Sequence, residues 1–224
     1  MGIPVIIYGK SGSGKTRSLK FFERDEIFYV NIERKALPFK IADGKFKYEL
    51  PSDDVELIKD QLGKMPNKTA VLDDVTYIMI NTFMRRHRDM KGNKQFELYN
   101  DIGDYIWGLL EFVKNNLPRD VIVYFMMHED TNDFGATKIR TIGKLLDDKV
   151  MPEGIVTICL RCMSKDGKHY FKATTGSDDI TKAPEDLFEE EEFENNLKFV
   201  DSKIREFYGI ENKEAEEKEN SNGE

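Results

Sequence analysis

The sequence has little that would serve disulfide chemistry, membrane insertion or secretion. Its 224 residues include two cysteines, Cys159 and Cys162, which are too few to staple a fold of this size. Nowhere do about 18 apolar residues follow one another, and the chain enters its first apolar stretch, Ile3–Tyr8, without a basic leader. We therefore expect a cytoplasmic protein with no membrane partner.

The charge is unevenly distributed along the chain. The sequence holds 42 acidic and 34 basic residues, for a net charge of -8. Residues 185–224 contain 15 acidic and 5 basic side chains, whereas residues 1–184 carry a net charge of +2. Because local basic loops rather than net charge determine contacts with a phosphodiester backbone, the overall acidity does not exclude a nucleic-acid partner.

Short β-rich runs alternate with helical patterns over the first 180 residues, and no internal repeat is visible. Four runs are almost continuously apolar, as expected of strands that are buried on both faces. These predicted strands are Ile3–Tyr8, Ile27–Ile32, Ala70–Asp73 and Val121–Met127. The alternation predicts an α/β fold with a mostly parallel sheet flanked by helices.

Three helices stand out between and after these strands. Apolar residues recur every three or four positions over Glu97–Asn116 and again over Asn195–Tyr208, where Gly209 supplies a stop. Asp53 is predicted to cap a further helix, with Glu56 reaching back in a capping box.

The last third of the chain follows a different pattern. Glu129–Gly143 is polar and is predicted to be a loop, and two later β-rich runs, Gly154–Cys162 and Lys168–Thr174, are predicted to form a hairpin. Cys159 and Cys162 fall on opposite faces of a strand, so we interpret them as core residues rather than zinc ligands. We expect a folded domain over residues 1–208 and an acidic, disordered tail over residues 209–224.

The most specific motif is a glycine-rich loop, GKSGSGKT, directly after the first apolar run. Its glycines allow backbone torsions that turn successive amides toward a phosphate, and the following helical segment points its positive end at the same place. In such a loop Lys15 reaches the β- and γ-phosphates and the Thr16 hydroxyl binds Mg²⁺, whereas the alternative is a glycine-rich turn with a surface lysine. We predict that ATP and Mg²⁺ bind here, and the predicted binding residues are Gly9, Lys10, Ser11, Gly12, Ser13, Gly14, Lys15, Thr16 and Arg17.

A carboxylate for the metal is expected at the end of another buried strand. Asp73 closes the Ala70–Asp73 run, at the edge of the sheet where ligands of open α/β folds gather. We predict that Asp73 binds Mg²⁺ beside Thr16, as a Walker B carboxylate. The alternative role, a cap on the next helix, suits the neighbouring Asp74 better.

Hydrolysis also needs a group that orients or deprotonates a water molecule. Asp74 is one candidate, and Glu33, at the end of the Ile27–Ile32 run, is the other. Glu33 is equally well interpreted as a solvated charge beside Arg34 and Lys35. The residues by themselves leave this choice open.

The order of these features resembles the core of RecA-type recombinases: a phosphate loop, a strand ending in Glu33, the strand ending in Asp73 and a strand ending in His128. The segment NIERKALPF at residues 31–39 and the strand end MHE at residues 127–129 are similar to the phage-encoded RecA-like single-strand annealing proteins. The resemblance spans residues 1–208 in the order of elements, but its specific motifs amount to about thirty residues. It implies a RecA-like P-loop NTPase sheet with a late β-hairpin and a C-terminal helix.

The resemblance also implies roles for individual residues. Glu33 matches the glutamate that activates the attacking water, which favours it over Asp74 for this role. The predicted catalytic residues are Lys15, Glu33, Asp74 and His128. His128 falls where RecA-type proteins carry a glutamine that senses the γ-phosphate. Because histidine departs from that pattern, the alternative interpretation is a hydrogen-bonded histidine at the end of a strand.

Two segments fall where proteins of this kind contact single-stranded DNA, at residues 85–94 and residues 131–144. The first carries five cations suited to a phosphodiester backbone, and its alternative interpretation is a solvated helix end. Phe96 and Phe134 are of a type that stacks on bases. The predicted DNA-binding residues are Arg85, Arg86, Arg88, Lys91, Lys94, Phe134, Lys138 and Arg140.

We therefore expect a DNA-stimulated ATPase that binds single-stranded DNA and promotes annealing or pairing in phage recombination, in the cytoplasm of the bacterial host. The expected partners are single-stranded DNA, further copies of the chain in a ring or filament, and a single-strand-binding protein. Arg161, Lys165 and Lys168 are candidates for a basic residue that completes a neighbouring subunit's site. Two alternatives stay open: a P-loop kinase of a nucleotide or small metabolite, and a nucleotide-gated interaction protein with little turnover.

Overall fold

The computed structural model describes residues 1–89, 92, 94–132, 135–142, 150–174, 176 and 178–210. Within these ranges the chain forms nine β-strands and five α-helices. The strands are β1 (Ile3–Gly9), β2 (Phe28–Asn31), β3 (Tyr48–Leu50), β4 (Thr69–Asp73), β5 (Ile122–Thr131), β6 (Thr137–Ile139), β7 (Ile158–Lys165), β8 (Lys168–Lys172) and β9 (Glu192–Glu194). The α-helices are α1 (Val55–Leu62), α2 (Thr76–Arg86), α3 (Lys94–Asn116), α4 (Pro152–Ile155) and α5 (Leu197–Tyr208).

All nine strands belong to one mixed sheet, whose order is β3-β2-β4-β5-β1-β7-β8-β9, with β6 paired to the end of β5. The six strands from β3 to β7 run parallel, and β8 and β9 continue the sheet in antiparallel pairing. Because β5 lies between β1 and β4, the ends of these three strands meet at one edge of the sheet. The expected α/β class and mostly parallel sheet are confirmed.

Alternation of side chains along the strands builds two cores, one on each face of the sheet. On one face, Ile6 and Leu72 pack with apolar residues of α1, α2 and α3. On the other face, Val5 and Val71 pack with α5 and with a 3-10 helix at Thr16–Phe21. The sheet is therefore covered on both faces, which explains why its strands are nearly continuous in apolar residues.

Most of the predicted elements lie where the patterns place them. The four predicted strands correspond to β1, β2, β4 and β5, and the predicted long helix corresponds to α3. The late hairpin is β7 and β8, joined by a turn in which Asp166 and Gly167 both have positive φ. In α5 the Asn196 side chain caps the first turn and Gly209 ends the helix in the left-handed conformation. The tail at residues 211–224 lies outside the described residues.

The two cysteines are buried and free, and they divide between the two cores as expected of strand residues three positions apart. Cys159 packs on the face covered by α1, α2 and α3, and Cys162 packs on the opposite face. Burial raises the pKa of the Cys162 thiol to about 11. Along the described part of the chain, no helix is both long and apolar enough to cross a membrane.

Two local predictions are wrong. Asp54, not Asp53, caps α1, because its carboxylate accepts hydrogen bonds from the amides of Glu56 and Leu57 while Asp53 is engaged in tertiary contacts. The predicted loop after residue 129 begins as strand, since β5 continues to Thr131 and pairs with β6. The helical segment predicted after the glycine-rich loop is present as a 3-10 helix.

Candidate functional site

The glycine-rich loop joins the end of β1 to the 3-10 helix, and close packing explains two of its glycines. A Cβ atom on Gly9 would lie 2.3 Å from the carbonyl oxygen of Cys162 on β7. Gly14 has a φ of +109°, and a Cβ atom there would lie 2.8 Å from Nδ1 of His169. The loop is therefore pressed against the β7–β8 hairpin at positions that exclude a side chain.

Lys15 lies beneath this loop and is 7% exposed. Its ammonium donates hydrogen bonds to the carbonyl oxygens of Gly9, at 2.9 Å, and Lys10, at 3.2 Å. The charge is thus held inside the loop by backbone acceptors, which a bound phosphate could replace with phosphoryl oxygens.

Thr16 and Asp73 come together at the ends of two elements that lie far apart in the sequence. The Thr16 hydroxyl donates to Asp73 Oδ2 at 2.7 Å, and the hydroxyl of Tyr29, on β2, donates to the same oxygen at 3.0 Å. Burial and the neighbouring Asp74 raise the pKa of Asp73, against the opposing effect of the two hydroxyl donors. A cation at this position would relieve that electrostatic cost, because it supplies the charge that the buried carboxylate lacks.

His128 and Asp74 form a second polar group beside Lys15. Lys15 Nζ lies 3.4 Å from His128 Nδ1 and 4.0 Å from Asp74 Oδ2, and His128 Nε2 lies 2.9 Å from the same carboxylate oxygen. Because a lysine ammonium can only donate, Nδ1 acts as the acceptor and Nε2 carries the proton that is donated to Asp74. Asp74 Oδ1 meanwhile accepts from the Thr76 amide at the start of α2, although Val75 occupies the N-cap position.

Glu33 follows β2 and lies at the same edge of the sheet. Its Oε1 accepts a hydrogen bond from Nδ2 of Asn81 at 2.9 Å, and its Oε2 lies 3.9 Å from the ammonium of Lys35. The side chain of Glu33 is 23% exposed. It is therefore a positioned carboxylate rather than a freely solvated one.

A cavity of about 410 Å³ connects these groups. The residues predicted from the sequence that line it are Ser11, Gly12, Gly14, Lys15, Thr16, Arg17, Glu33, Asp73, Asp74 and His128. Of the predicted set for ATP, Gly9 and Ser13 are buried in the loop, and Lys10 lines a neighbouring cavity of about 390 Å³ instead. The cavity thus brings the predicted phosphate, metal and water-activating residues together.

His169 was not predicted from the sequence, although it lines the same cavity. Its Nδ1 lies 2.7 Å from the carbonyl oxygen of Ser13, so that nitrogen carries a proton and donates it to the loop. Asn195 packs behind the loop, where its Nδ2 donates to the Cys162 sulfur and its Oδ1 lies 3.5 Å from Arg17 Nη1. His169 and Ser13 are 156 positions apart, Asn195 and Arg17 are 178 apart, and Asn195 and Cys162 are 33 apart. No local sequence pattern could reveal contacts over such separations.

The first predicted basic segment includes both paired and exposed cations. Arg85 pairs with Asp53, and Arg86 lies 2.7 Å from Asp101 on α3. Arg88 and Lys94 are exposed, and Phe96 is 71% exposed. The predicted Lys91 lies outside the described residues. Arg85 and Arg86 are therefore engaged in ion pairs within the chain, whereas the exposure of Arg88 and Lys94 fits both a solvated helix end and a DNA contact.

The second predicted basic segment is attached to His128 through the backbone. The amide of Arg140, just after β6, donates to the His128 carbonyl oxygen at 2.7 Å. The side chain of Arg140 is exposed and that of Lys138 is partly exposed, whereas Phe134 lies outside the described residues. The sequence did not reveal this direct connection, because it depends on the unpredicted β5–β6 pairing.

Of the three candidates for a residue acting in a neighbouring subunit, Arg161 is already engaged within its own chain. Its guanidinium makes two hydrogen bonds to the carboxylate of Glu129, at 2.9 and 3.0 Å. Such a bidentate pair is costly to break. Lys165 and Lys168 lie at the exposed turn of the β7–β8 hairpin.

The comparisons with known proteins add no family: no protein-family model and no curated protein matches the chain.

The residues present suit a nucleotide and Mg²⁺. Gly12 and Gly14 have positive φ, a conformation that allows a loop to present successive amides to an anion. The Thr16 hydroxyl and the Asp73 carboxylate are the hard oxygen donors that Mg²⁺ prefers. Among the described residues, no group of three or more His, Cys, Asp or Glu side chains could hold a metal. A site of two protein ligands agrees with the habit of Mg²⁺ of taking its other ligands from phosphate and water.

Proposed function

We propose that the protein binds ATP with Mg²⁺ at residues 9–17 and hydrolyses it, and that it couples this turnover to single-stranded DNA in annealing or pairing. The observation that carries the proposal is the hydrogen bond between Thr16 and Asp73, beside Lys15, in the cavity that Glu33 also lines. Phosphate, metal and water-activating groups then face one space, as phosphoryl transfer to water requires.

The chain's own residues have separate tasks in this reaction. Lys15 exchanges its loop carbonyls for oxygens of the β- and γ-phosphates and so balances their charge. Thr16 and Asp73 hold Mg²⁺, which when bound neutralises charge that develops on the phosphates. Glu33 accepts a proton from the attacking water through the carboxylate oxygen that Asn81 leaves free. The products are ADP and inorganic phosphate.

The sheet order supports a RecA-like arrangement. A strand, β5, separates the strand that ends in the phosphate loop from the strand that ends in Asp73, and two antiparallel strands follow β7. β5 thereby brings His128, which lies opposite Gly9 in the pairing with β1, beside Lys15, where a side chain can respond to the γ-phosphate. Since the Arg140 amide binds the His128 carbonyl, a shift of this part of β5 moves the second basic segment with it.

Exposed cations and an exposed aromatic ring support a nucleic-acid partner. Arg88, Lys94 and Arg140 are available to phosphates, and Phe96 is available to stack on a base. Single-stranded DNA presents both groups at once, because its bases are not covered by a complementary strand.

The experiment compares ATP binding and phosphate release in the wild type and in Glu33→Gln, with Glu56→Gln as a control at an exposed carboxylate on α1. We expect Glu33→Gln to bind ATP as the wild type does and to lose turnover by about 100-fold or more, while Glu56→Gln keeps both. Full turnover in Glu33→Gln would remove Glu33 from the mechanism. Consumption of ATP without phosphate release, and only with an added acceptor, would favour the kinase alternative.

A further inference from the structure

A chain of polar contacts among four side chains links Glu33, which follows β2, to the protein surface. Nδ2 of Asn81, on α2, donates to Glu33 Oε1 at 2.9 Å and to Asp53 Oδ2 at 3.0 Å. Arg85, one turn further along α2, pairs with the same oxygen of Asp53. The four side chains thus run from the nucleotide cavity to the surface, where the Arg85 side chain is 60% exposed.

The Asn81 amide suits this position because of its two hydrogen atoms. An amide nitrogen carries two donors, and here two carboxylates, Glu33 and Asp53, each take one. Turning the amide over would set its oxygen against both carboxylates. The pair of acceptors therefore fixes the orientation of Asn81, and Asn81 in turn fixes Oε1 of Glu33.

The positive charge of Arg85 offsets the repulsion between the carboxylates of Glu33 and Asp53. Without it, two carboxylates would meet at one neutral amide, and their like charges would separate them. Although burial raises the pKa of Asp53, the hydrogen bonds from Arg85 and Asn81 outweigh it and hold that pKa below its ordinary value. Asp53 thus stays ionised and continues to accept the hydrogen bond from Asn81. Asn81 and Arg85 reach it together because residues four apart on a helix share a face.

We propose that Asn81 is a positioning residue for Glu33, held in orientation by Asp53 and Arg85. The inference rests on the proposed function, since it assigns to these residues the placement of the carboxylate that receives the proton of the attacking water. Oε1 of Glu33 accepts from Asn81, and Oε2, whose nearest charged neighbour is the Lys35 ammonium at 3.9 Å, is the oxygen that receives the proton of the water.

The assignment separates turnover from nucleotide binding. Within the described residues, neither Asn81 nor Asp53 lines the cavity. Loss of Asn81 should consequently leave the affinity for ATP intact and lower kcat alone. A displaced carboxylate of this kind costs roughly 10- to 100-fold in rate, since misplacement by about 1 Å is enough.

The test measures kcat, KM and the melting temperature of Asn81→Ala with Mg-ATP, with Asn100→Ala at an exposed position of α3 as the matched control. We expect kcat of Asn81→Ala to fall roughly 10- to 100-fold and KM to stay within about twofold of the wild type. Asn100→Ala should match the wild type in both constants. A merely structural role would instead change the melting temperature and KM together.

A second variant keeps the test decisive if Asn81→Ala does not fold. Asp53→Asn leaves Asn81 in place but removes the charge that orients it, and we expect the same fall in kcat to a smaller degree, again at constant KM. If the wild type shows turnover that depends on Lys15, an unchanged or raised kcat in these variants would overturn the inference and leave the proposed function intact. Absence of Lys15-dependent turnover in the wild type would instead overturn the proposed function.

Discussion

Thr16 donates its hydroxyl hydrogen to Asp73 at 2.7 Å across 57 positions of sequence. The contact joins the first residue of the 3-10 helix to the last residue of β4, at the edge where the parallel strands end. It places a hydroxyl and a carboxylate near the buried ammonium of Lys15. The remaining contacts of the cavity, including those of Glu33 and His128, are arranged around this pair.

Replacement of Asp73 by Asn should change the affinity for Mg²⁺ and the thermal stability in opposite directions. The amide oxygen can still accept from Thr16 and Tyr29, but the buried charge beside Asp74 is gone, so we expect a higher melting temperature without ligand. The affinity for Mg²⁺ in the presence of ATP should fall by at least about 10- to 100-fold. Loss of a group that only supports a metal ligand already costs this much. Calorimetric titration and thermal unfolding measure the two effects.

Asp60→Asn is the control for this substitution, because Asp60 is an exposed carboxylate of α1 that pairs with Lys64. It should leave both quantities near those of the wild type. A lower melting temperature for Asp73→Asn together with unaltered Mg²⁺ affinity would contradict the assignment of Asp73.

The ion pair at Asp53 predicts a dependence of stability on pH. The folded-state pKa of Asp53 lies below the ordinary 3.8, so its stabilising effect is present above that value and is lost as the pH falls through the folded-state pKa. Asp53→Asn should lower the free energy of unfolding at neutral pH by about 1 to 3 kcal/mol, the usual worth of hydrogen bonds to a charged group. The difference between variant and wild type should shrink on the acid side of pH 3.8. Urea unfolding across this range measures it, and a difference independent of pH would exclude the ion pair as its cause.

A buried polar cluster fastens α5 to the sheet at the edge away from the cavity. Arg205 is 4% exposed and donates to Asp201 at 2.7 Å and to the backbone carbonyls of Lys68 and Asp120 at 3.0 Å. Arg205→Ala leaves the buried Asp201 without its charged partner, and we expect a loss of about 3 to 5 kcal/mol in the free energy of unfolding.

Lys203→Ala is the matched control on the same helix, where Lys203 pairs with Glu206 at the surface. Its cost should stay below about 1 kcal/mol. Urea unfolding of both variants tests the cluster, and equal losses in the two would show that burial of the Arg205 pair does not matter.

The exposed cations predict how DNA binding responds to salt. Arg88→Glu and Lys94→Glu should each weaken binding of single-stranded DNA and reduce the slope of log affinity against log salt concentration by about 1. Lys64→Glu changes the charge equally at an exposed residue just after α1, outside both predicted DNA-binding segments, and should have little effect. Fluorescence anisotropy over a range of salt concentrations measures the slopes. Equal slopes in all three variants would exclude a local DNA contact at Arg88 and Lys94.

The sequence-based predictions of structure succeed for segments that are close in the chain and for buried strands. The glycine-rich loop is a continuous motif, and the Ala70–Asp73 run ends where β4 ends, whereas His128, predicted at the end of a strand, lies inside β5, which continues to Thr131. Sequence patterns cannot predict contacts between elements that are distant in the chain. His169 reaches Ser13 only because the β7–β8 hairpin folds against the loop, and Asn81 reaches Glu33 only because α2 packs beside β2.

The error at Asp53 has a similar cause. A capping box is read from local spacing, and both Asp53 and Asp54 are suited to cap α1. The tertiary partners of Asp53, Asn81 and Arg85, decide which of the two carboxylates turns toward the helix amides. Local propensity therefore placed the start of the helix correctly to within two residues but assigned its cap to the wrong aspartate.

The most direct test of the account is phosphate release from Mg-ATP, with and without single-stranded DNA, in the wild type, Lys15→Ala and Lys20→Ala. Lys20 is an exposed lysine on the 3-10 helix and serves as the matched control. We expect turnover that DNA stimulates, that Lys15→Ala abolishes and that Lys20→Ala retains. Turnover that survives in Lys15→Ala, or its absence in the wild type under all these conditions, would contradict it.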